Sequence, residues 1–285
     1  MRQRTALLLT ANAVAVGAFL VVGGWDMLQL YTGVGLPTRS GPPMELIAHR
    51  GDLDRYPENT LEAIRAATEV PVDGIEFDVV MSADGTWWVI HDASLDRTTN
   101  GTGSVAQLSD NVVRAAHIDG GIGFDPERHR ELRVPRLDDV LEALRGYTGS
   151  VYVDVQHAPT GSVDDVVLML AGFDAAILCR DLADTRRVRA LDPAVRTFLR
   201  LEDGPADDSV DGWLMEAYFE ADVEAVSSSE LPVITFVDQW RAGESEEAVL
   251  RRAWAVGVAG FFTKQLGAAV ATRESLMPAG ELPGE

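Results

Sequence analysis

Three acidic residues in apolar, β-like segments have the pattern of a cation site. Glu76 and Asp78 lie two residues apart in one such segment, and Asp154 lies in a second one. Residues two apart on a strand share a face, so the Glu76 and Asp78 carboxylates point the same way, and a neighbouring parallel strand brings Asp154 to the same edge. Oxygen ligands of this kind favour Mg²⁺ or Ca²⁺ over Zn²⁺. The alternative is that all three are solvated acids at strand ends.

Two histidines at the ends of apolar runs could supply acid–base chemistry. His49 closes the run that begins at residue 46, and His91 closes the run that begins at residue 88. Two histidines on either side of a metal can serve as base and acid in an in-line displacement at phosphorus. Arg50, next to His49, is a candidate bidentate partner for phosphate oxygens. Structural roles remain the alternative for both histidines, while His117 and His129, in a polar segment, are predicted to be surface residues.

The elements that carry these residues alternate between β-like and helical patterns. Strands are predicted over residues 46–49, 74–80, 86–91, 151–156, 175–179, 197–201, 232–237 and 260–263. Helices are predicted over residues 60–68, 137–144, 164–170, 183–191 and 246–256. Repeated β-then-α segments over this length predict a parallel α/β fold, and their number favours a closed barrel over an open sheet. Strand C-termini are where such barrels build active sites.

Two segments depart from this alternation. Asp84-Gly85 is a hairpin signal, so the strand ending at His91 is predicted to run antiparallel to its predecessor. Residues 93–136 are rich in Gly, Asp and Thr and are predicted to form an insertion. Residues 200–231 are irregular and leave the strand count there open.

Charge and cysteine content exclude several classes of protein. The chain of 285 residues carries 45 acidic and 24 basic residues, a formal net charge of −21. Such a field repels phosphate backbones, so we expect no nucleic-acid partner. The single cysteine, Cys179, excludes an internal disulfide framework and a Cys-rich metal site.

The N-terminal segment predicts a membrane anchor. Residues 5–25 form an uncharged, largely apolar run after two arginines, and about 20 apolar residues span a bilayer core. The arginines favour a cytoplasmic N-terminus, which places the rest on the extracytoplasmic side. The alternative is a signal peptide, cleaved near Ala13-Val14-Ala15, and a secreted protein. We therefore divide the chain into an anchor (1–25), a linker (26–43), a barrel (44–275, with insertion 93–136) and a C-terminal tail (276–285).

Several short motifs together resemble the glycerophosphodiester phosphodiesterase family, in order and in spacing, over about residues 46–155. They are His49-Arg50-Gly51, Pro57-Glu58-Asn59-Thr60, Gly74-Ile75-Glu76-Phe77-Asp78-Val79, His91-Asp92, Leu95-Asp96-Arg97-Thr98-Thr99 and Gly101-Thr102-Gly103. The resemblance implies a TIM (β/α)₈ barrel with an insertion after the second histidine. It also implies cleavage of glycerophosphodiesters to glycerol 3-phosphate and an alcohol with a divalent cation, Ca²⁺ or Mg²⁺.

The resemblance also implies roles for individual residues. His49 and His91 would be the acid/base pair, and Arg50 a phosphate contact. Glu76 and Asp78 would be metal ligands, with Asp154 in the place of the third ligand.

Two strand ends depart from the family pattern. Where the family has Glu, one residue and then Lys, this chain has Asp154, Val155 and Gln156. The only lysine, Lys264, stands where the family has an acid, and Arg180 also replaces a family residue at a strand end. We hypothesise that Lys264 and Arg180 replace the positive charge lost at Gln156, with Lys264 contacting phosphate.

These departures keep two other functions open. The related sphingomyelinase D/phospholipase D group also has an aspartate at the position of Asp154. Similarity to that group would make a lysolipid or phospholipid head group the substrate. Gln156 breaks that match, because the group keeps a lysine there. A non-enzymatic alternative is a membrane-tethered barrel used as a binding or assembly subunit, its chemistry decayed.

Overall fold

The protein folds into a barrel of parallel strands with helices outside. The computed structural model describes residues 43–155, 157, 161–200, 207–216, 229–236 and 245–277. Its strands are β1 (Glu45–His49), β2 (Gly74–Met81), β3 (Trp87–Val89), β4 (Ser150–Val155), β5 (Ala175–Cys179), β6 (Arg196–Arg200), β7 (Gly212–Glu216), β8 (Val233–Phe236) and β9 (Gly260–Thr263). Its helices are α1 (Leu61–Ala67), α2 (Asp110–Ala115), α3 (Leu137–Ala143), α4 (Val163–Met169), α5 (Leu182–Leu191), α6 (Glu246–Val256) and α7 (Leu266–Leu276).

The sheet closes on itself because β1 pairs in parallel with both β2 and β9. The order β1-β9-β8-β7-β6-β5-β4-β2 then completes a ring of parallel strands, and β3 is added antiparallel to β2. The predicted TIM (β/α)₈ barrel and the predicted antiparallel hairpin are therefore both confirmed. One strand of the ring, β7, lies in the segment that the sequence left open.

Strand register brings the acidic and histidine positions to one end of the barrel. Asp78 on β2 pairs with Asp154 on β4, and His49 on β1 pairs with Glu76 on β2. Because alternate residues of a strand share a face, Glu76, Asp78 and Asp154 point inward together, while Phe77 packs in the outer core. His49 is the last residue of β1 and Asp154 the last but one of β4, so pairing with them brings Glu76 and Asp78, in the middle of β2, to the same end of the barrel.

Helix boundaries follow local capping chemistry. The Thr60 hydroxyl accepts a hydrogen bond from Ala63 N at 3.2 Å and begins α1. Ser245 caps α6 in the same way, and α6 ends at Gly257, whose φ of 86° suits a residue without a Cβ. The helices predicted from sequence are present. Two further helices were not predicted from the sequence. The first, α2, is short, and the N-cap residue of α7, Gln265, makes no side-chain capping hydrogen bond.

The insertion has its own small core. Its buried side chains pack on Trp88 and Val80 of the hairpin, and they include Leu95, Val105, Val113, Ile118 and Val134. His117 is partly exposed. The prediction for His129 is wrong, because its ring is only 3% exposed and contacts Tyr56 and Phe124.

The predicted anchor and most of the linker and tail lie outside the described residues. Within the described ranges, no helix is long and apolar enough to cross a bilayer. The domain boundaries stay predictions.

Candidate active site

The predicted site residues meet in one cleft at the C-terminal mouth of the barrel. The cleft encloses about 310 Å³, including its open mouth. Its polar wall comes from the β1, β2, β3 and β4 side and consists of His49, Arg50, Glu76, Asp78, His91 and Asp154. Its other wall comes from β5 to β9 and consists of Leu178, Arg200, Leu214, Phe236 and Phe262.

His49 is a buried imidazole between an acidic and an aromatic surface. Its Nε2 lies 3.7 Å from Glu76 Oε2, and its ring is stacked near Phe262 at a centroid distance of 5.9 Å. Nδ1 has no hydrogen-bond partner among the described residues. Burial, and then the charges of Arg50 and Lys264, hold the pKa of His49 well below its usual value of 6.5. The ring is therefore neutral at neutral pH and able to accept a proton.

His91 is the more accessible histidine, with 34% of its side chain exposed. Its Nδ1 lies 2.7 Å from Asp92 Oδ1, so Asp92 orients the ring and leaves Nε2 for the cleft. Arg97 donates from Nε to Asp92 Oδ2 at 2.6 Å. Burial acts to raise the pKa of Asp92, but hydrogen bonds from Arg97 and His91 lower it to about 2. Asp92 is thus a permanently charged partner for His91.

The three carboxylates share a buried, electrostatically costly position. Burial, and then the charge of Asp78, raises the pKa of Glu76 well above its usual value. The same two causes raise the pKa of Asp154 to about 7, although Arg200 acts in the opposite direction. Hard oxygen donors whose negative charges repel one another suit a divalent cation, which would relieve that repulsion. The donor chemistry therefore fits a Ca²⁺ or Mg²⁺ ion.

The donors do not yet form a closed cage. No three His, Cys, Asp or Glu side chains in the described part of the chain converge as a metal site. Asp78 is engaged by other groups: its Oδ2 accepts a hydrogen bond from Asn59 Nδ2 at 2.7 Å and lies 3.1 Å from Arg50 Nε. The cleft thus supplies the charge and the ligand types, and the ligand roles of Glu76, Asp78 and Asp154 stay predictions.

Arg50 is held among carboxylates by an unusual backbone. Its φ is 63°, a left-handed conformation that costs free energy in a non-glycine residue, and such strain is common at functional sites. Its guanidinium donates from Nη1 to Glu58 Oε1 at 2.9 Å, and only 6% of the residue is exposed. Gly51 follows with a φ of 89°, and an added Cβ there would lie 2.7 Å from the Ala63 backbone. Arg50 therefore faces Glu58 and Asp78, and its predicted phosphate contact is untested.

Glu58 connects this arginine to the insertion. Besides Arg50 it accepts hydrogen bonds from both terminal nitrogens of Arg97, at 2.9 and 2.7 Å, and from the backbone of Ile122 at 2.6 Å. Burial acts to raise the pKa of Glu58, but Arg97, Arg50 and Ile122 lower it to about 2. The Glu58–Arg97–Asp92 chain therefore couples the buried half of the site to the orientation of His91.

A family model agrees with this geometry. The model of the glycerophosphoryl diester phosphodiesterase family matches residues 49–229, more than half of the chain. The chain belongs to this family. The match begins at His49 and includes every polar group of the cleft.

Relatives within the family match parts of the chain. The glycerophosphodiester phosphodiesterase of Caldanaerobacter subterraneus is 43% identical over 99 residues, covering 35% of this chain and 40% of that protein. Glycerophosphodiester phosphodiesterase 1 of Mus musculus is 34% identical over 165 residues, covering 55% and 50% respectively. The chain spans 40% to 64% of the length of three such curated relatives.

Solved structures share the barrel over most of their length. A glycerophosphodiester phosphodiesterase from Agrobacterium tumefaciens has a TM-score of 0.64 at 26% identity, covering 80% of this chain and 99% of that one. A phosphodiesterase from Oleispira antarctica, solved with the product sn-glycerol-3-phosphate, has a TM-score of 0.67 at 18% identity, covering 84% and 97%. At the latter identity the likeness concerns the fold alone.

The two basic side chains predicted to replace the charge lost at Gln156 do not line the cleft. Lys264 follows β9 and is half-buried, and its charge lowers the pKa of His49 although it does not line the cleft. Arg180 follows β5 and is exposed. Their roles stay predictions.

Sequence reasoning missed other residues at the mouth. Arg200, at the end of β6, lines the cleft. His157 lies beyond β4 with a φ of 46°. Burial, and then the charges of Arg180 and His91, lower its pKa. The sequence signal was available for Arg200, because it ends an apolar strand in the same way as His49.

Proposed function

We propose that the protein hydrolyses glycerophosphodiesters to glycerol 3-phosphate and an alcohol. One observation carries the proposal: His49 and His91 enter a single cleft together with the buried carboxylates Glu76, Asp78 and Asp154. This arrangement offers two proton-transfer groups and a place for a cation around one phosphoryl-sized space. Family membership supports the substrate class, and the product named for the Oleispira antarctica structure is consistent with it.

The two histidines divide the proton transfers. His49 is neutral and accepts the proton of the attacking water as its oxygen bonds to phosphorus. His91, oriented by Asp92, delivers a proton to the oxygen of the departing alcohol as its bond to phosphorus breaks. The two transfers balance, because one proton is taken from the water and one is given to the alcohol.

A divalent cation belongs to this proposal. Glu76, Asp78 and Asp154 would hold it, and it would offset the negative charge of the phosphoryl oxygens. Ca²⁺ and Mg²⁺ both suit oxygen ligands, and activity with each decides between them.

The test is release of glycerol 3-phosphate from a panel of glycerophosphodiesters, with Ca²⁺, with Mg²⁺ and with EDTA. We expect turnover with a cation, and a loss of at least about 100-fold in His49→Ala and in His91→Ala. His117→Ala, a partly exposed histidine of the insertion, is the matched control and keeps wild-type activity. No turnover by folded wild-type protein on any diester refutes the proposal.

Two other functions are outcomes of the same assay. A cyclic phosphate or a phosphorylated ceramide as product, from an intact or lysolipid substrate, indicates the phospholipase D-like reaction. Absence of turnover together with absence of cation binding indicates a binding or assembly subunit.

We further propose that residues 5–25 anchor the protein in a membrane with the barrel on the extracytoplasmic side. The uncharged length of this run and the preceding arginines support it. Membrane fractionation followed by protease accessibility in sealed cells tests it. A shortened, released protein indicates cleavage and secretion instead.

A further inference from the structure

The two walls of the cleft differ in chemistry. Every residue that β5, β7, β8 and β9 contribute is apolar: Leu178, Leu214, Phe236 and Phe262. The one charged side chain that the described residues place on this wall is Arg200, at the end of β6. It faces the wall that carries both histidines and the three carboxylates.

The two arginines of the cleft are not equivalent. Arg50 is buried, and its guanidinium lies 2.9 Å from Glu58 and 3.1 Å from Asp78. Arg200 is exposed, and among the residues that the structure describes no carboxylate lies within ion-pair distance of it. Its guanidinium carbon lies instead over the Phe236 ring, 5.6 Å from the centroid. This contact orients the charge and leaves its N–H groups for a ligand.

Strand register places Arg200 one layer nearer the mouth of the barrel than Asp154. Asp154 on β4 pairs with Leu178 on β5, and Leu178 pairs with Phe198 on β6. Two residues further along the inward face, β6 reaches Arg200, its last residue. Arg200 therefore places a positive charge one layer beyond Asp154.

Phe236 also connects Arg200 to the reacting groups. Its ring centroid lies 6.2 Å from that of His49, and the Arg200 guanidinium carbon lies 5.6 Å from the same Phe236 centroid. Because His49, Phe236 and Arg200 line the same cleft, a phosphoryl group beside His49 lies between the polar wall and the wall that carries Arg200. A planar guanidinium matches two phosphoryl oxygens.

We propose that Arg200 binds the nonbridging oxygens of the scissile phosphoryl group, with Phe236 holding its guanidinium in position. The assignment rests on the proposed phosphodiesterase function and adds a substrate-binding residue to it.

Binding and turnover test this separately, in the full chain with saturating Ca²⁺ or Mg²⁺. The binding probes are inorganic phosphate and glycerol 3-phosphate, measured by calorimetry. We expect Arg200→Gln to weaken both by about 10- to 100-fold, because a charge-assisted hydrogen bond is lost. kcat/KM on a diester with an uncharged alcohol should fall by a similar factor. Arg186→Gln, an exposed arginine on α5, is the matched control and changes neither.

Two rescue variants make the test specific to charge in this layer. Arg200→Lys should recover part of the affinity, as a point charge without the planar fork. Gln156→Lys in the Arg200→Gln background should also recover part of it, because residue 156 follows Asp154 by two positions in the sequence, directly after the end of β4. Unchanged thermal midpoints show that the variants are folded.

Three results overturn the assignment. The first is an Arg200→Gln variant that equals wild type in phosphate affinity and in kcat/KM. The second is a loss confined to diesters with an anionic alcohol, which places Arg200 at the alcohol. The third is failure of both probes to bind wild type. A different result is also informative: the wild type binds phosphate, Arg200→Gln weakens that binding, and no diester is hydrolysed. This result refutes the proposed function but supports Arg200 as an anion-binding residue.

Discussion

Neutralising Glu58 should destabilise the fold and switch off the site together. Glu58 is 3% exposed and is bonded to Arg50, Arg97 and the Ile122 backbone. Its pKa is lowered from 4.5 to about 2, a difference that corresponds to on the order of 3 kcal/mol of stability at neutral pH. Removing one partner of a buried ion pair costs about 3–5 kcal/mol, which agrees. We therefore expect Glu58→Gln to lower the free energy of unfolding by about 3 kcal/mol.

The pH dependence of this loss follows from the direction of the shift. A depressed carboxyl pKa contributes stability that is fully present above the unfolded value of 4.5 and is lost as pH falls towards about 2. The difference between wild type and Glu58→Gln should therefore be constant from pH 7 to pH 5 and shrink below pH 4.5. Urea titrations at a series of pH values measure it.

The control is another glutamate that pairs with an arginine. Glu69 lies 2.9 Å from Arg55, but its side chain is 68% exposed, so Glu69→Gln should change stability by less than about 1 kcal/mol. Equal effects of Glu58→Gln and Glu69→Gln, or a Glu58→Gln effect that grows below pH 4.5, would refute the reasoning. Glu58→Gln should also reduce kcat at temperatures where the variant is fully folded, because Arg50 and Arg97 lose their common anchor.

Three further outcomes are expected. Asp92→Asn should lower kcat by about 10- to 100-fold with a small change in KM, because His91 loses the charge that orients its ring; an equal rise in KM would argue for a substrate contact instead. Ca²⁺ or Mg²⁺ at 100 times its dissociation constant should add about 2.7 kcal/mol to the stability of the wild type. The thermal midpoint should rise accordingly, and Asp78→Asn should abolish that rise. Lys264→Gln should reduce kcat/KM if Lys264 contacts phosphate, and full activity in that variant would end the hypothesis that it does.

Much of the site was predictable because strand geometry is regular. The alternation of side chains fixed Glu76 and Asp78 on one face, and parallel pairing brought Asp154 alongside Asp78. The ends of two apolar runs placed His49 and His91 at the same mouth. These inferences needed only local pattern and the rule that parallel strands end at the same edge.

Contacts between distant loops were not predictable in this way. The pairing of Arg50 with Glu58 depends on a left-handed backbone at Arg50, and the burial of His129 depends on a contact with Tyr56. Strand β7 was missed because its residues, GWLME, follow a segment rich in acidic and small residues. With β7 unassigned, the end of β6 looked irregular, and Arg200 was not considered as part of the cleft.

Charge balance explains why the cleft needs cations from two sources. Arg50 lies within ion-pair distance of Glu58 and Asp78, and its charge offsets those of Glu76 and Asp154 only in part. Burial, and then the charge of Asp78, still raises the pKa of both carboxyls. A phosphodiester anion entering the cleft meets the same negative charge. In the proposed function, a divalent cation would lower that barrier on the polar wall, and Arg200 would lower it from the apolar wall. Because both cations act on one anion, the metal and the phosphate should each strengthen the binding of the other by the same factor.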